Sequence, residues 1–162
     1  MAANIDPVYS KAGDVQASAG TASFASPFLI AAVNASLNDG VGTIDTDIYQ
    51  VFKADATNGG FIRSVRVKFV TTTGTTTSVA CKMMFFVSTK SAHGQATTNA
   101  DTWLIGELAL PATGALSTTV AQPDYEYPLG FALPLAYTIL VKITVAQSAN
   151  TGFIAVGIGG KY

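Results

Sequence analysis

The side chains that could do acid–base or nucleophilic chemistry are few in this sequence. There is one histidine, His93, and one cysteine, Cys81. A catalytic triad would need His93 beside an activated serine and a carboxylate. The sequence has no G-x-S-x-G turn, and Ser91 only shares a polar loop with His93. We therefore expect His93 to be an exposed loop residue and not a general base.

The sequence also contains few residues that could serve metal or redox chemistry. One histidine and one cysteine cannot provide the three or four protein ligands of a zinc site. A single cysteine cannot form an internal disulfide, and Cys81 lies in an apolar run. Such a thiol is typically buried and inert. We predict neither a metal nor a cofactor for this chain.

Two pairs of carboxylates have a spacing that could suit a hard cation. Asp45 and Asp47 form one pair, and Asp124 and Glu126 form the other. On a strand, residues i and i+2 point to the same face, so each pair could hold calcium. Two carboxylates are few ligands, however, and a solvated rim or a salt bridge is the favoured interpretation. A glycosidase pair would need a cleft for sugar, and the chain has one Trp.

Phosphate and nucleic-acid binding lack their usual signals. The glycines at 157, 159 and 160 have no helix after them that could donate N–H groups to a phosphate. They predict instead a last strand that passes close to another backbone. Nine basic residues balance ten acidic ones, for a net charge of −1. We expect no attraction to nucleic acid or to an anionic membrane, and we predict that the chain is not an enzyme.

The elements that position these residues are predicted to be strands. Period-two alternation recurs and helical patterns are nearly missing. The clearest case is 61–70, where Phe61, Val65, Val67 and Phe69 share one face. With the Thr-rich turn around Gly74, it predicts a β-hairpin over 61–88. The other predicted strands are 43–53, 103–110, 116–121, 137–145 and 153–158, with weaker candidates at 14–19 and 23–33.

These strands predict an all-β fold for a single domain over 1–162. We expect an antiparallel two-sheet β-sandwich of about eight strands, resembling a jelly roll. Residues 1–40 are expected to form an extended N-terminal arm plus first strands. The prolines at 123, 128 and 134 predict an extended link. The N-terminus has neither a basic n-region nor an apolar h-region, so we expect no secretory signal and synthesis in the cytoplasm.

The sequence also predicts more apolar surface than one core needs. Only 12% of the residues are charged, about half the usual share, which indicates a surface covered by other copies or by a partner. A sheet with one wet face should not be apolar on both faces, yet several strands are. Either the fold or another subunit covers the second face. The candidate interface residues are Ile62, Val70, Met84, Phe86, Trp103 and Ile105.

Five stretches of the chain resemble small structural proteins of tailed bacteriophages and prophages. They are Ile48-Tyr-Gln-Val-Phe-Lys-Ala54, Gly60-Phe-Ile-Arg-Ser-Val-Arg-Val-Lys-Phe69, Leu110-Pro-Ala-Thr113, Asp124-Tyr-Glu-Tyr-Pro-Leu-Gly-Phe-Ala-Leu-Pro134 and Val156-Gly-Ile-Gly-Gly-Lys-Tyr162. The resemblance covers roughly 43–162 and carries over no functional residue. It implies a capsid decoration (cement) protein in the virion that binds and stabilises the major capsid protein shell. The alternatives are a tail, neck or fibre-associated module, and a carbohydrate-binding β-sandwich.

The same resemblance bears on the assembly. Icosahedral shells offer many three-fold and quasi-three-fold positions, and closed cyclic symmetry suits a protein placed there. We therefore expect a homo-oligomer, with a trimer favoured, in contact with the major capsid protein or another virion protein.

Overall fold

The computed structural model describes residues 8–9, 39–71, 77–115, 119–148 and 151–162. Within these residues there are ten strands and no helix, which confirms the prediction of an all-β fold. The strands are Val8–Tyr9 (β1), Gly42–Thr43 (β2), Tyr49–Lys53 (β3), Gly60–Thr71 (β4), Cys81–Ser88 (β5), Ala96–Thr97 (β6), Thr102–Leu110 (β7), Asp124–Leu133 (β8), Thr138–Ile143 (β9) and Thr151–Lys161 (β10).

The strands form two four-stranded sheets and one short ribbon. The first sheet has the order β1-β10-β4-β8, the second has the order β3-β9-β5-β7, and the ribbon pairs β2 with β6. The eight strands outside the ribbon form nested antiparallel pairs. The first of them in the chain pairs with the last, the second with the second last, and so on. β1 pairs with β10, β3 with β9, β4 with β8, and β5 with β7. This nested pairing is that of a jelly roll, so the predicted architecture is confirmed.

The main core lies between the two sheets. It is built from alternate residues of the facing strands, such as Val67 and Phe69 of β4 and Met83 and Phe85 of β5. Phe69 meets Phe153 of β10 edge to face, with 5.7 Å between ring centroids. Period-two alternation therefore produces the core as the sequence predicts, because each strand turns every second side chain inward.

The predicted hairpin over 61–88 is wrong. β4 belongs to the first sheet and β5 to the second, and neither pairs with the other. Both strands alternate as predicted, but alternation does not specify which strand lies alongside. The chain crosses from one sheet to the other between them, and residues 72–76 of this connection lie outside the described residues.

The second correction in this region concerns Ile62. The register between β4 and β10 shifts by one residue between Ile62 and Ser64, so Arg63 is the extra residue of a β-bulge. The bulge turns Ile62 into the core, where it is fully buried, and leaves Phe61 only half-buried. A one-residue shift exchanges the two faces of a strand, and the charged Arg63 in the apolar alternation was its only local signal.

The predicted extended link at 123–134 is in fact mostly strand β8. Among the described residues this strand lies at the edge of the first sheet and has β4 as its one neighbour. An edge is where a strand tolerates Pro128. The strand predicted at 116–121 is not formed at 119–121, and 116–118 lie outside the described residues. The candidates at 14–19 and 23–33, and most of the predicted arm, also lie outside them.

The strand predicted at 43–53 is divided in two. Asp45 adopts a positive φ of 68° in a turn between β2 and β3, so one continuous strand cannot run through this segment. The prediction that the final strand passes close to another backbone is confirmed. A Cβ on Gly157 would lie 2.6 Å from the carbonyl oxygen of Val51 in the other sheet.

Candidate interface on the edge strand of the second sheet

The structure does not bring the six candidate interface residues together. Ile62 lies in the core between the sheets. Val70 is half-buried on β4, in the first sheet. Met84 and Phe86 lie on β5, and Trp103 and Ile105 on β7, in the second sheet. Only the last two residues share a strand at the edge of the molecule.

Met84 and Phe86 are interior residues. They form a second small core with Ile44, Ile48 and Leu140, on the outer face of the second sheet. All five side chains are buried. The alternative that the sequence left open is therefore decided for this part of the face. The fold covers it, so Met84 and Phe86, like Ile62, are corrected from interface to core.

The cover is the segment that runs from Asp39 to Ile48, and it is tied to the loop before β7. Its strand β2 pairs with β6. The amide of Ile44 donates to the carbonyl of Gln95 at 2.9 Å, and the amide of Gly94 donates to the carbonyl of Ile44 at 3.1 Å. These bonds hold both isoleucines against the sheet.

A buried lysine fixes the start of this cover. Lys142 of β9 has a fully buried side chain, and its Nζ donates to Oδ1 of Asp39 at 3.0 Å and to the main-chain carbonyl of the same residue. The Nζ also lies 5.4 Å from the ring centroid of Phe86, which is within cation–π range. Alternation along the strand predicted at 137–145 puts Lys142 on the face opposite the main core, and the structure shows that the fold itself covers this face.

The β7 edge, defined as strand Thr102–Leu110, differs from the covered part of the sheet. β7 is the last strand of the second sheet, and no strand lies beyond it among the described residues. Trp103 is 43% exposed and Leu104 is 37% exposed, more than any other large apolar side chain described in a strand. Ile105 is half-buried and packs against the main core.

The registers explain why these two neighbours are exposed. Leu140 of β9, Phe86 of β5 and Leu104 of β7 form one row across the outer face. Ile139, Val87 and Trp103 form the adjacent row on the core face. Both rows are buried on β9, and both become exposed only on β7, where the sheet ends. The β7 edge therefore exposes the ends of two apolar rows, one on each face of the second sheet.

The side of the sandwich next to this edge is closed by Tyr127 of β8. Its ring stacks on Phe85 with 4.3 Å between centroids and an interplanar angle of 10°. Its hydroxyl lies over Gly106 of β7, so closely that a Cβ there would overlap it. The two edge strands, β7 and β8, therefore meet at this seam.

The charge on the β7 edge is compensated within the same chain. Glu107 is the strand's one charged residue. Both of its carboxylate oxygens accept hydrogen bonds from Nζ of Lys82 on β5, at 3.0 and 3.1 Å. The edge therefore presents apolar side chains and backbone groups with no net charge.

The residues considered for chemistry have structural partners. Nδ1 of His93 lies 3.0 Å from Oδ2 of Asp45, and the histidine side chain is about half exposed. Asp47 accepts a hydrogen bond from the amide of Thr43 at 2.9 Å. These contacts tie the loop around His93 to the turn that carries Ile44 and Ile48.

The second carboxylate pair forms cross-strand ion pairs, as the salt-bridge interpretation predicted. Asp124 lies 3.1 Å from Nζ of Lys68, and Glu126 lies 3.9 Å from Nε of Arg66. No group of three or more His, Cys, Asp or Glu side chains suited to a metal ion occurs within the described residues. In the same residues no helix is long and apolar enough to cross a membrane.

Cys81 is buried as predicted. Burial raises the pKa of its thiol to about 11, because the thiolate would be poorly solvated. The thiol is therefore protonated at neutral pH and a poor nucleophile.

Comparison of the chain with protein-family models, with curated proteins and with solved structures finds no match. The jelly roll is thus identified by its strand order alone, and the candidate interface by its own geometry.

Proposed function

We propose that this chain is a structural virion protein of a tailed bacteriophage, a capsid decoration protein that binds and stabilises the major capsid protein shell. The observation that carries the proposal is the β7 edge, where two apolar rows of the second sheet end exposed at Trp103 and Leu104. Large apolar side chains exposed at an unpaired sheet edge support a contact with another protein chain in an assembly, either the shell or a second copy. The chain is made in the host cytoplasm and functions in the particle.

The architecture and the composition support the same proposal. Jelly rolls are recurrent in viral capsid proteins. Only 12% of the residues are charged, so covering part of the surface in an assembly costs little desolvation of charge. Contacts that exist only in the assembled shell stabilise the shell by mass action.

Quantitative mass spectrometry of purified particles tests this role. A decoration protein is expected in a copy number comparable with that of the major capsid protein, and particles lacking it should open at lower temperature. A copy number of only a few per particle would instead assign the chain to the tail, neck or fibre base. Absence from the particle would refute both virion roles.

A carbohydrate-binding function is the second candidate, and the exposure of Trp103 favours it. Lectin domains also use jelly rolls, and an aromatic side chain exposed at a sheet edge can stack on a sugar ring. A glycan array with the wild type and Trp103→Ala separates the two candidates. Binding that depends on Trp103 would support the lectin role, and no binding to any glycan would eliminate it.

A further inference from the structure

The β7 edge and the β8 edge meet where Tyr127 lies over Gly106, and the β8 edge carries more of the features that block strand addition. Pro128 stands in the middle of β8, Gly130 has a positive φ of 69°, and the register with β4 shifts beside them. Proline, bulges and charges are the usual means by which an edge strand is kept from pairing with another chain. On β7 the single bulge, at Ile105, leaves the run from Gly106 to Leu110 regular.

From this contrast we propose that β7 pairs antiparallel with β7 of a second copy of this chain across a two-fold axis. The pairing joins two second sheets into one continuous sheet of eight strands. A two-fold contact requires a surface that is complementary to itself, so that residues of one patch meet the same patch. An antiparallel pair of identical strands meets this requirement for any register centred on the axis.

Charge and apolar surface both favour a second copy as the occupant. The negative charge of Glu107 is already paired with Lys82 of the same chain, so two identical edges do not repel each other. The rows that end at Trp103 and Leu104 would each be continued by the added strand, which extends the burial seen at Ile139, Leu140 and Phe86. The inference does not depend on the virion role, since it concerns the chain in isolation. It differs from the trimer expected from shell symmetry, and the measurement below separates the two.

The test is the mass of the purified chain by light scattering, at concentrations from about 1 to 100 µM. The wild type should be dimeric in the upper part of this range. Leu104→Lys puts a charge on the edge, and the residue occurs twice in a two-fold contact. Its dimer dissociation constant should therefore rise by about 100-fold or more. Val145→Lys is the control, because Val145 is 39% exposed and lies outside the strands.

Each result decides the matter. A wild-type chain that is monomeric throughout, or that is a trimer, overturns the proposal. A dimer that survives Leu104→Lys, or that both variants lose equally, places the contact elsewhere and overturns it too. If Leu104→Lys fails to fold by circular dichroism, hydrogen exchange of the wild type replaces it. Those amides of Gly106–Leu110 that point away from β5, which are alternate residues of the strand, should then become more protected as concentration rises, while the amides of β8 should not.

Discussion

Replacing Gly106 by alanine should destabilise the sandwich at the seam between β7 and β8. The added Cβ would overlap Oη and Cζ of Tyr127, because both atoms lie far inside van der Waals contact of its position. The tyrosine cannot yield freely, because its ring is stacked on Phe85 in the main core. Relief therefore requires either a shift of β7 or the loss of this stacking.

The expected cost is about 2–4 kcal/mol of the free energy of unfolding. Overpacking a core typically costs about 1–3 kcal/mol, and disturbing an aromatic pair adds roughly 0.5–1.5 kcal/mol. For a chain of this size the melting temperature should fall by roughly 5–15 °C. Urea denaturation followed by circular dichroism measures the free energy, and a thermal scan measures the shift.

Two further variants make the result specific. Gly114→Ala is the control, because a Cβ at Gly114 meets nothing within 4 Å, and its stability should change by less than about 1 kcal/mol. Tyr127→Ala removes the obstacle, so adding Gly106→Ala to it should cost much less than in the wild type. An equal cost in both backgrounds, or a cost in the wild type below about 0.5 kcal/mol, would refute the steric reasoning.

Three other outcomes are expected. Phe86→Asp should unfold the chain, with loss of the strand signal in circular dichroism, because Phe86 lies in the buried second core. A variant that stays folded but dissociates would instead show that Phe86 is an interface residue. Asp39→Ala should lower the free energy of unfolding in urea by about 2–4 kcal/mol, because it leaves the fully buried charge of Lys142 without its carboxylate. Lys142→Met should cost less, because the Asp39 side chain that it leaves behind is 27% exposed. The reverse order would contradict this reasoning. Cys81 in the folded chain should react with a thiol reagent at pH 8 at least about 100-fold more slowly than in the urea-unfolded chain, since its pKa is raised to about 11. The same shift means that unfolding becomes easier as pH rises from the unfolded thiol's pKa toward 11, and Cys81→Ala should remove that part of the pH dependence.

The sequence by itself determined the class of the fold and the position of several strands. The strand predicted at 103–110 is observed as Thr102–Leu110, and the one predicted at 137–145 as Thr138–Ile143. Alternation is a local property, because successive side chains of a strand point to opposite faces whatever the strand pairs with. The burial of Cys81 and the close approach at Gly157 follow from equally local evidence.

Only the tertiary structure decided which strands are neighbours and which apolar faces are covered. β4 and β5 alternate as a hairpin would, yet each pairs across a longer loop with β8 and β7. Lys142 reads as a solvent-facing residue, yet it is buried against Asp39, 103 residues earlier in the chain. Phe86 and Leu104 are paired across neighbouring strands, yet the segment from Asp39 to Ile48 covers Phe86 while Leu104 stays exposed at the sheet edge. Pairing and coverage depend on segments distant in sequence, which period-two alternation does not encode.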